Sequence, residues 1–444
     1  MSLSPEQIIA LAPDAPSAKA CRSLASGGKW PARGCDERAV WGSCQGSGRE
    51  PYRTQIDLSE PAFRCTCPSR KFPCKHALGL FLLYATQQSS FESGARPAWV
   101  AEWLEKRDQQ SQRGKGVGAE QAPDETAPPA QKKRATKVKR SSSERQSRVA
   151  AGLAELELWM RDLMRRGLAV AQTQPPRYWE QMAARLIDAQ APGAARRVRE
   201  MSSVVAAAEG WADALLARVG SLFLAVEGFK RIETLPEPVR ADLRTCLGWT
   251  VKEEELSAEG VRDCWLVTGQ RTFEEDKLRV QRTWLWGEES GRDAALLEFA
   301  APGQVLKSGL LVGTMIEAEL VYYPSNYPLR AAVKQRHSAP VPRRPARGHT
   351  SAESLLDAYA DALARNPWLE VFPALLDAVV PVRRDGAWLL RDADGRLLPI
   401  SPKAAGGWKL LALGGGSPVT LFGEWDGRHL LPLCVWAEER YARI

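Results

Sequence analysis

Between Phe63 and His76 the chain reads Phe-Arg-Cys-Thr-Cys-Pro-Ser-Arg-Lys-Phe-Pro-Cys-Lys-His. Four side chains in this stretch can bind a soft metal ion: Cys65, Cys67, Cys74 and His76. The pattern is Cys-x-Cys, a gap of six residues, then Cys-x-His. Zinc takes four N or S donors in a tetrahedron, with Zn–S about 2.3 Å and Zn–N about 2.0–2.1 Å. Two ligands one residue apart can reach one metal from a bent strand end. A gap with Pro68 and Pro73 at its two ends can fold back to bring in the second pair. All four positions are then filled by protein groups and none is left for a reactive water. The expected chemistry is a structural zinc site. A redox pair at Cys65 and Cys67, or a set of inert thiols, would have no use for His76.

The charges around the ligands fit such a site. Three thiolates, a neutral imidazole and Zn²⁺ carry a net charge of about −1, and Arg64, Arg70, Lys71 and Lys75 surround them. These basic residues either neutralise the cluster or contact nucleic acid. Cys74 and His76 also fall where an apolar helix, from about His76 to Gln87, should begin, and a helix N-terminus favours negative charge. Of nine cysteines, six lie between residues 21 and 74. Cys21, Cys35 and Cys44 have no Cys or His beside them at ligand spacing, and Cys44 reads as structural. Cys246, Cys264 and Cys434 sit in apolar or aromatic surroundings and read as buried small hydrophobes.

The elements that must position the ligands are legible as well. β-like segments at Ala39–Cys44 and Tyr52–Asp57 precede them, joined by Gly46-Ser47-Gly48. No Gly-Lys-Ser/Thr follows that loop, so it is a hairpin loop and not a phosphate loop. The N-terminus reads as a helix capped by Ser4, with Pro5 at its first position and Gln7 closing a capping box. It has neither the basic start nor the apolar core of a secretory signal.

Cys65-x-Cys67 with Cys74-x-His76 resembles the SWIM-type zinc finger, defined by C-x-C, a variable gap and C-x-H. The likeness extends to Trp41-Gly42-Ser43-Cys44-Gln45-Gly46-Ser47-Gly48, to Pro51-Tyr52, and to the run from Cys67 to Leu80. It is closest to the bacterial members, which tend to be encoded near MoxR-type ATPases and von Willebrand A-domain proteins. It covers residues 1 to about 106. The resemblance implies a ββα unit, with the first ligand pair on a hairpin and the second at a helix start. It assigns the four ligands to Cys65, Cys67, Cys74 and His76. SWIM modules are thought to bind DNA or proteins, so the family fixes a metal site more firmly than a molecular function.

The 444 residues allow two to four domains. The expected class is α+β multidomain: a zinc-finger domain over 1–106, a disordered basic linker over 107–148, a helical bundle over 149–232 and a β-rich region over 233–444. The linker expectation rests on a run from Asp108 to Arg148 without an aromatic residue, too polar to offset its ordering entropy. Lys132, Lys133, Arg134, Lys137, Lys139, Arg140, Arg145 and Arg148 stand there against Glu144 alone, nearly the whole formal excess of +8. Amphipathic helices are expected from Leu153, Leu156, Met160, Leu163 and Met164, at Tyr178–Ala189 and at Val198–Leu222. In the last region, strands are expected at Cys264–Gly269, Leu278–Gly287, Ala294–Phe299, Leu310–Tyr323, Val379–Arg383, Trp388–Arg391, Leu397–Ile400, Trp408–Leu413, Val419–Trp425 and Leu430–Trp436. A helix over Ser351–Arg365 and hairpin turns at Asp394–Gly395 and Asp426–Gly427 complete the region.

No apolar run is long enough to span a bilayer, and without an export signal the expected compartment is a reducing cytoplasm, where a close cysteine cluster means metal or redox chemistry rather than disulfides. There is no P-loop and no Gly-x-Ser-x-Gly elbow. His337 and His349 lie in a basic, Pro-rich loop expected to be exposed, and His429 lies in a turn. The expected function is therefore a non-catalytic, zinc-binding interaction protein, with protein partners such as a MoxR/VWA-type ATPase system. The alternative is DNA or RNA binding through Arg70, Lys71 and Lys75 of the finger and Lys132, Lys133, Arg134, Lys137, Lys139 and Arg140 of the linker.

Overall fold

The computed structural model describes residues 5–12, 15–45, 50–59, 62–69, 71–115, 130–206, 210–249, 251–256, 259–275, 278–301, 309–345, 348–404, 406–437 and 440–444. The first unit contains α1 (Pro5–Ala10), α2 (Ala15–Leu24), β1 (Ala32–Cys35), β2 (Ala39–Cys44), β3 (Tyr52–Asp57), β4 (Ala62–Cys65), α3 (Lys75–Thr86), β5 (Glu92–Ser93) and α4 (Ala98–Lys115). Its sheet runs β4-β3-β2-β1-β5. β2 and β3 pair antiparallel, as a hairpin requires; Gly46–Gly48 and the cap Ser4 lie outside the described residues. Helix α3 is apolar nearly all round because it is buried on all sides, from His76 to Tyr84. It packs closely on α2, where a Cβ on Gly79 would stand 2.6 Å from Leu24 Cβ.

The next unit holds α5 (Ala130–Arg166), α6 (Ala169–Thr173), α7 (Pro176–Asp188), α8 (Pro192–Val205), α9 (Trp211–Lys230) and α10 (Glu237–Cys246). Buried residues recur at helical spacing: Leu153, Leu156, Met160 and Leu163 on α5; Trp179, Met182, Ala183 and Leu186 on α7; Leu215, Val219 and Leu222 on α9. One expectation needs correction. The pattern over Val198–Leu222 is two helices, because Gly210 takes a left-handed conformation (φ 64°) ahead of Trp211. The expected linker lies between finger and bundle, with α4 and α5 extending into it from the two sides. Ala, Lys, Arg, Gln and Glu are strong helix formers whose propensity acts without a buried face. Residues 116–129 lie outside the described residues, as do the side chains of 130–143.

The third unit contains β6 (Val261–Glu275), β7 (Leu278–Gly287), β8 (Asp293–Ala300), β9 (Thr314–Tyr322), β10 (Arg330–Arg336) and β11 (Val341–Pro342). β6, β7 and β8 form an antiparallel meander. β9 returns to β6, while β10 pairs antiparallel with β9 and parallel with β8. The ladder therefore closes as β6-β7-β8-β10-β9-β6 around Trp265, Val267, Leu285, Leu296 and Ile316. Five strands in this Greek-key order, with one parallel contact, make an OB-type barrel.

The last unit comprises α11 (Ala352–Arg365), β12 (Phe372–Arg384), β13 (Ala387–Arg391), β14 (Leu397–Pro399), α12 (Gly407–Gly414), β15 (Val419–Trp425), β16 (Leu430–Ala437) and β17 (Arg440–Arg443), with sheet order β14-β13-β12-β15-β16-β17. Ser351 caps α11, accepting from the Ser354 N–H at 3.1 Å. Gly395 and Gly427 have positive φ in the expected hairpin turns. Trp408–Leu413, expected as a strand, is helix α12. The run has no β-branched residue, and Gly415 ends it in the left-handed conformation. Among the described residues no helix is long and apolar enough to cross a membrane.

Glu424 of β15 ties the barrel to this sheet. Its buried carboxylate accepts from Arg271 Nη1 (2.8 Å), Arg282 Nη1 (2.9 Å) and Trp284 Nε1 (3.0 Å). Burial alone would raise this carboxyl, but Arg282, the Trp284 N–H and Arg271 outweigh it and hold it below the ordinary glutamate range. Because the folded state holds the carboxylate charged, its contribution is present above the unfolded pKa of about 4.3 and is lost as pH falls through the lower folded value. Glu424→Gln should cost about 3 kcal/mol at pH 7 by urea denaturation followed through Trp fluorescence. The gap to the wild type should narrow as the pH is lowered below about 4.

Candidate metal centre

The sequence places the four ligands by simple local rules. Cys65 ends β4, where it stands opposite Thr54 of β3. Cys67 follows as the chain leaves the hairpin. Cys74 is the N-cap of α3: its backbone is extended (φ −75°, ψ 164°), and its Sγ accepts from the Ala77 N–H at 3.5 Å. His76 lies in the first turn of the same helix. The Phe72 ring, inside the gap, meets the edge of Phe63 on β4 at a centroid distance of 6.2 Å. Phe63 in turn meets Phe81 of α3 at 5.8 Å. Aromatic contact thus folds the gap back and fixes the strand end against the helix start.

The donor atoms of Cys65, Cys67, Cys74 and His76 all lie within 4.8 Å of one another. A tetrahedral zinc with the bond length above needs sulfur atoms about 3.8 Å apart, so closing on the ion takes shifts of an ångström or less. Cys65 Sγ stands 4.0 Å from His76 Nδ1, which makes Nδ1 the nitrogen that faces the cluster. Cys74 and His76 are buried, and Cys65 and Cys67 are half-buried. The residues fit the metal.

The electrostatics prepare the sulfurs unequally. The Cys74 thiol, then His76, Thr54 and the Cys67 backbone, donate to Cys65 and outweigh burial, so the Cys65 thiol ionises well below its usual range. Cys74 is pushed up because its proton serves that thiolate, and burial raises Cys67. Zinc would complete the ionisation of all three thiols.

Thr54 is the residue that ligand spacing alone does not reveal. It is fully buried and donates its hydroxyl to Cys65 Sγ at 3.2 Å. Its signal is register: it faces Cys65 across the expected hairpin. Tyr52 sets a second wall, its ring centroid 5.0 Å from that of His76. Cys21, Cys35 and Cys44 are buried in the core of this unit and outside the donor set. Burial, and then the neighbouring Cys65 thiolate, raise the Cys44 thiol. Cys246 and Cys434 are buried as expected, whereas Cys264 is half-buried, one residue before Trp265 of the barrel core on β6.

Arg64, Lys71 and Lys75 are exposed beside the centre, while Arg70 lies outside the described residues. The backbones of Lys132, Lys133, Arg134, Lys137, Lys139 and Arg140 belong to α5, and their side chains lie outside the described residues. The other histidines are dispersed. His337 is exposed and His429 is half-buried in the β15–β16 turn. His349 departs from the expected exposed loop: its N–H donates to Leu375 O at 2.7 Å, and burial lowers its pKa.

Residues 52–85 match the family described as the SWIM zinc finger, and residues 144–247 match the SWIM-associated four-helix bundle domain. The first match contains the four ligands and the strand, hairpin and helix that carry them; the second spans α5 from Glu144 through α10. Together they support a SWIM-type zinc finger family protein with zinc as its metal. No curated protein and no solved structure gives a significant match to the chain.

The purified protein should hold one zinc per chain by elemental analysis, and Cys74→Ser or His76→Ala should lose it together with the order of residues 5–106. Thr54→Val should retain the fold but bind zinc about tenfold more weakly in a chelator competition. Affinity should fall as the pH is lowered from 8 to 5, because Cys67 and Cys74 must release protons to bind.

Proposed function

We propose that this chain is a zinc-stabilised, non-catalytic interaction protein of the cytoplasm whose finger and C-terminal units hold protein partners. The observation that carries the reading is the donor set itself: four protein ligands, two of them built into the start of a buried helix, leave the metal no open position for substrate. Such an ion holds a surface in shape, and a surface held in shape is a means of binding. The family resemblance makes a MoxR-type ATPase or a VWA-domain protein the partner to test first. The tagged full chain should retain such a partner through affinity purification, and Cys74→Ser should release it. A wild-type preparation that retains zinc and recovers no partner above background would overturn this reading.

A second reading is nucleic-acid binding through the finger and the basic start of α5. The exposed Arg64, Lys71 and Lys75 beside the metal centre favour it. Replacing Lys132, Lys133, Lys137 and Lys139 with Ser should then weaken binding and flatten its salt dependence. An absence of DNA or RNA binding at ~50 mM salt would end it.

A further inference from the structure

A cleft of about 260 Å³ opens where the barrel, the bundle and the last unit meet. Its walls are the outer faces of β7 and β8, the 323–329 connection into β10, parts of α8 and α10, and the 366–371 segment. The metal centre contributes nothing to it. Four guanidinium groups line it (Arg196, Arg197, Arg282 and Arg330), against the carboxylates of Asp242 and Glu370.

The neighbours of these groups show which are committed. Glu370 takes both Arg196 and Arg197, the latter at 2.9 Å. Arg282 is held by Glu424. Asp242 accepts from the Asn326 N–H and from Asn366 Nδ2, each at 2.9 Å. What these pairs leave is one guanidinium without a carboxylate and one N–H of the paired Arg197. Arg330 lies over the ring of Tyr323 at 4.1 Å, and no carboxylate among the described residues pairs with it. Arg197 Nε is buried without an acceptor. A buried, orphaned donor on a charged group is costly, and an anion relieves it. The same walls carry the half-buried rings of Trp249, which Arg145 covers on one side at 4.8 Å, and Tyr327, tilted against Phe372 at 6.3 Å.

We propose that this cleft binds a nucleotide unit, with its phosphate met by Arg330 and the Arg197 Nε and its base against Trp249 or Tyr327. The cleft has room for a small molecule or one residue of a strand, and not for a folded partner. It also lies on the second and third strands of the barrel and the connection between its fourth and fifth, the side that OB-type barrels offer to oligonucleotides. The chemistry of the walls carries the proposal, and the topology agrees with it. The site is separate from the finger, while Arg145 of α5 lies over the Trp249 ring at 4.8 Å, and the site stands or falls independently of the protein-partner reading.

The test uses the zinc-loaded full chain. Nucleoside monophosphates are titrated by calorimetry, and a fluorescein-labelled single-stranded oligonucleotide of about ten residues is followed by anisotropy at ~50 mM salt. Binding should weaken at least about tenfold in Arg330→Ala, which removes the unpaired cation, and in Leu297→Trp, which fills the cleft from β8. Monophosphates binding as tightly as the strand would make the ligand a free nucleotide; a strand bound far more tightly would make it single-stranded nucleic acid. Both support the site. Circular dichroism melting identifies a variant that fails to fold, and the other then decides. The proposal is overturned if no probe binds at concentrations up to about 1 mM, or if a folded cleft variant binds like the wild type, which would assign any strand binding to the basic residues of α5.

Discussion

One metal ion must be reached by a strand end and a helix start that have eight residues between Cys67 and His76 and, among the described residues, no backbone hydrogen bond to each other. Almost everything in the first unit serves that requirement. The β3–β4 register sets Thr54 opposite Cys65. The chain of rings from Phe72 through Phe63 to Phe81 draws the gap back over the helix. Helix α3 is seated against α2 at Gly79, where no side chain would fit. Its N-cap is itself a ligand, so the group that satisfies a helix end also anchors the metal. Dipole, cap and ion therefore act at one place.

The units are joined by side chains that belong to more than one of them. Leu311, from the connection leading into β9, sits in the core of the finger unit. Within the finger unit, Arg38 pairs with Asp108 of α4 at 2.6 Å and reaches the buried Asp57, which also meets Arg107 at 3.2 Å. Farther along the chain, Glu424 gathers Arg271, Arg282 and Trp284 between the barrel and the last sheet. Glu370 gathers Arg196 and Arg197 between the last unit and the bundle. Such buried or half-buried pairs set the arrangement of units more than they add stability, since a carboxylate removed from water gains most of its return from one geometry. The cleft lies at the triple junction, beside these ion pairs.

Much of this could be read from residue types. The Cys-x-Cys and Cys-x-His pairs name a metal because thiolates and imidazole at that spacing have few other uses. Ser351 marks the start of α11, and Asp394–Gly395 and Asp426–Gly427 mark hairpin turns, because caps and positive-φ turns depend on one or two residues. Asp385–Gly386, with φ of 50° and 81° between β12 and β13, makes a turn of the same kind between the strands expected at Val379–Arg383 and Trp388–Arg391. Trp408–Leu413 was illegible for a different reason: a six-residue apolar run fits a strand or a short helix equally well until its surroundings choose.

By itself, then, the sequence determined the metal, its four ligands, the helical character of α7 and α9 and the strands β7, β8, β15 and β16, all of which rest on contacts between neighbours in the chain. Only the tertiary structure decided that Thr54 supports Cys65, that β10 closes a barrel by pairing with both β8 and β9, and that Arg330 and Arg197 meet across a cleft. Those facts depend on residues tens to hundreds of positions apart. Local propensity is silent about such pairs, because their geometry is set by strand register and by how whole units pack.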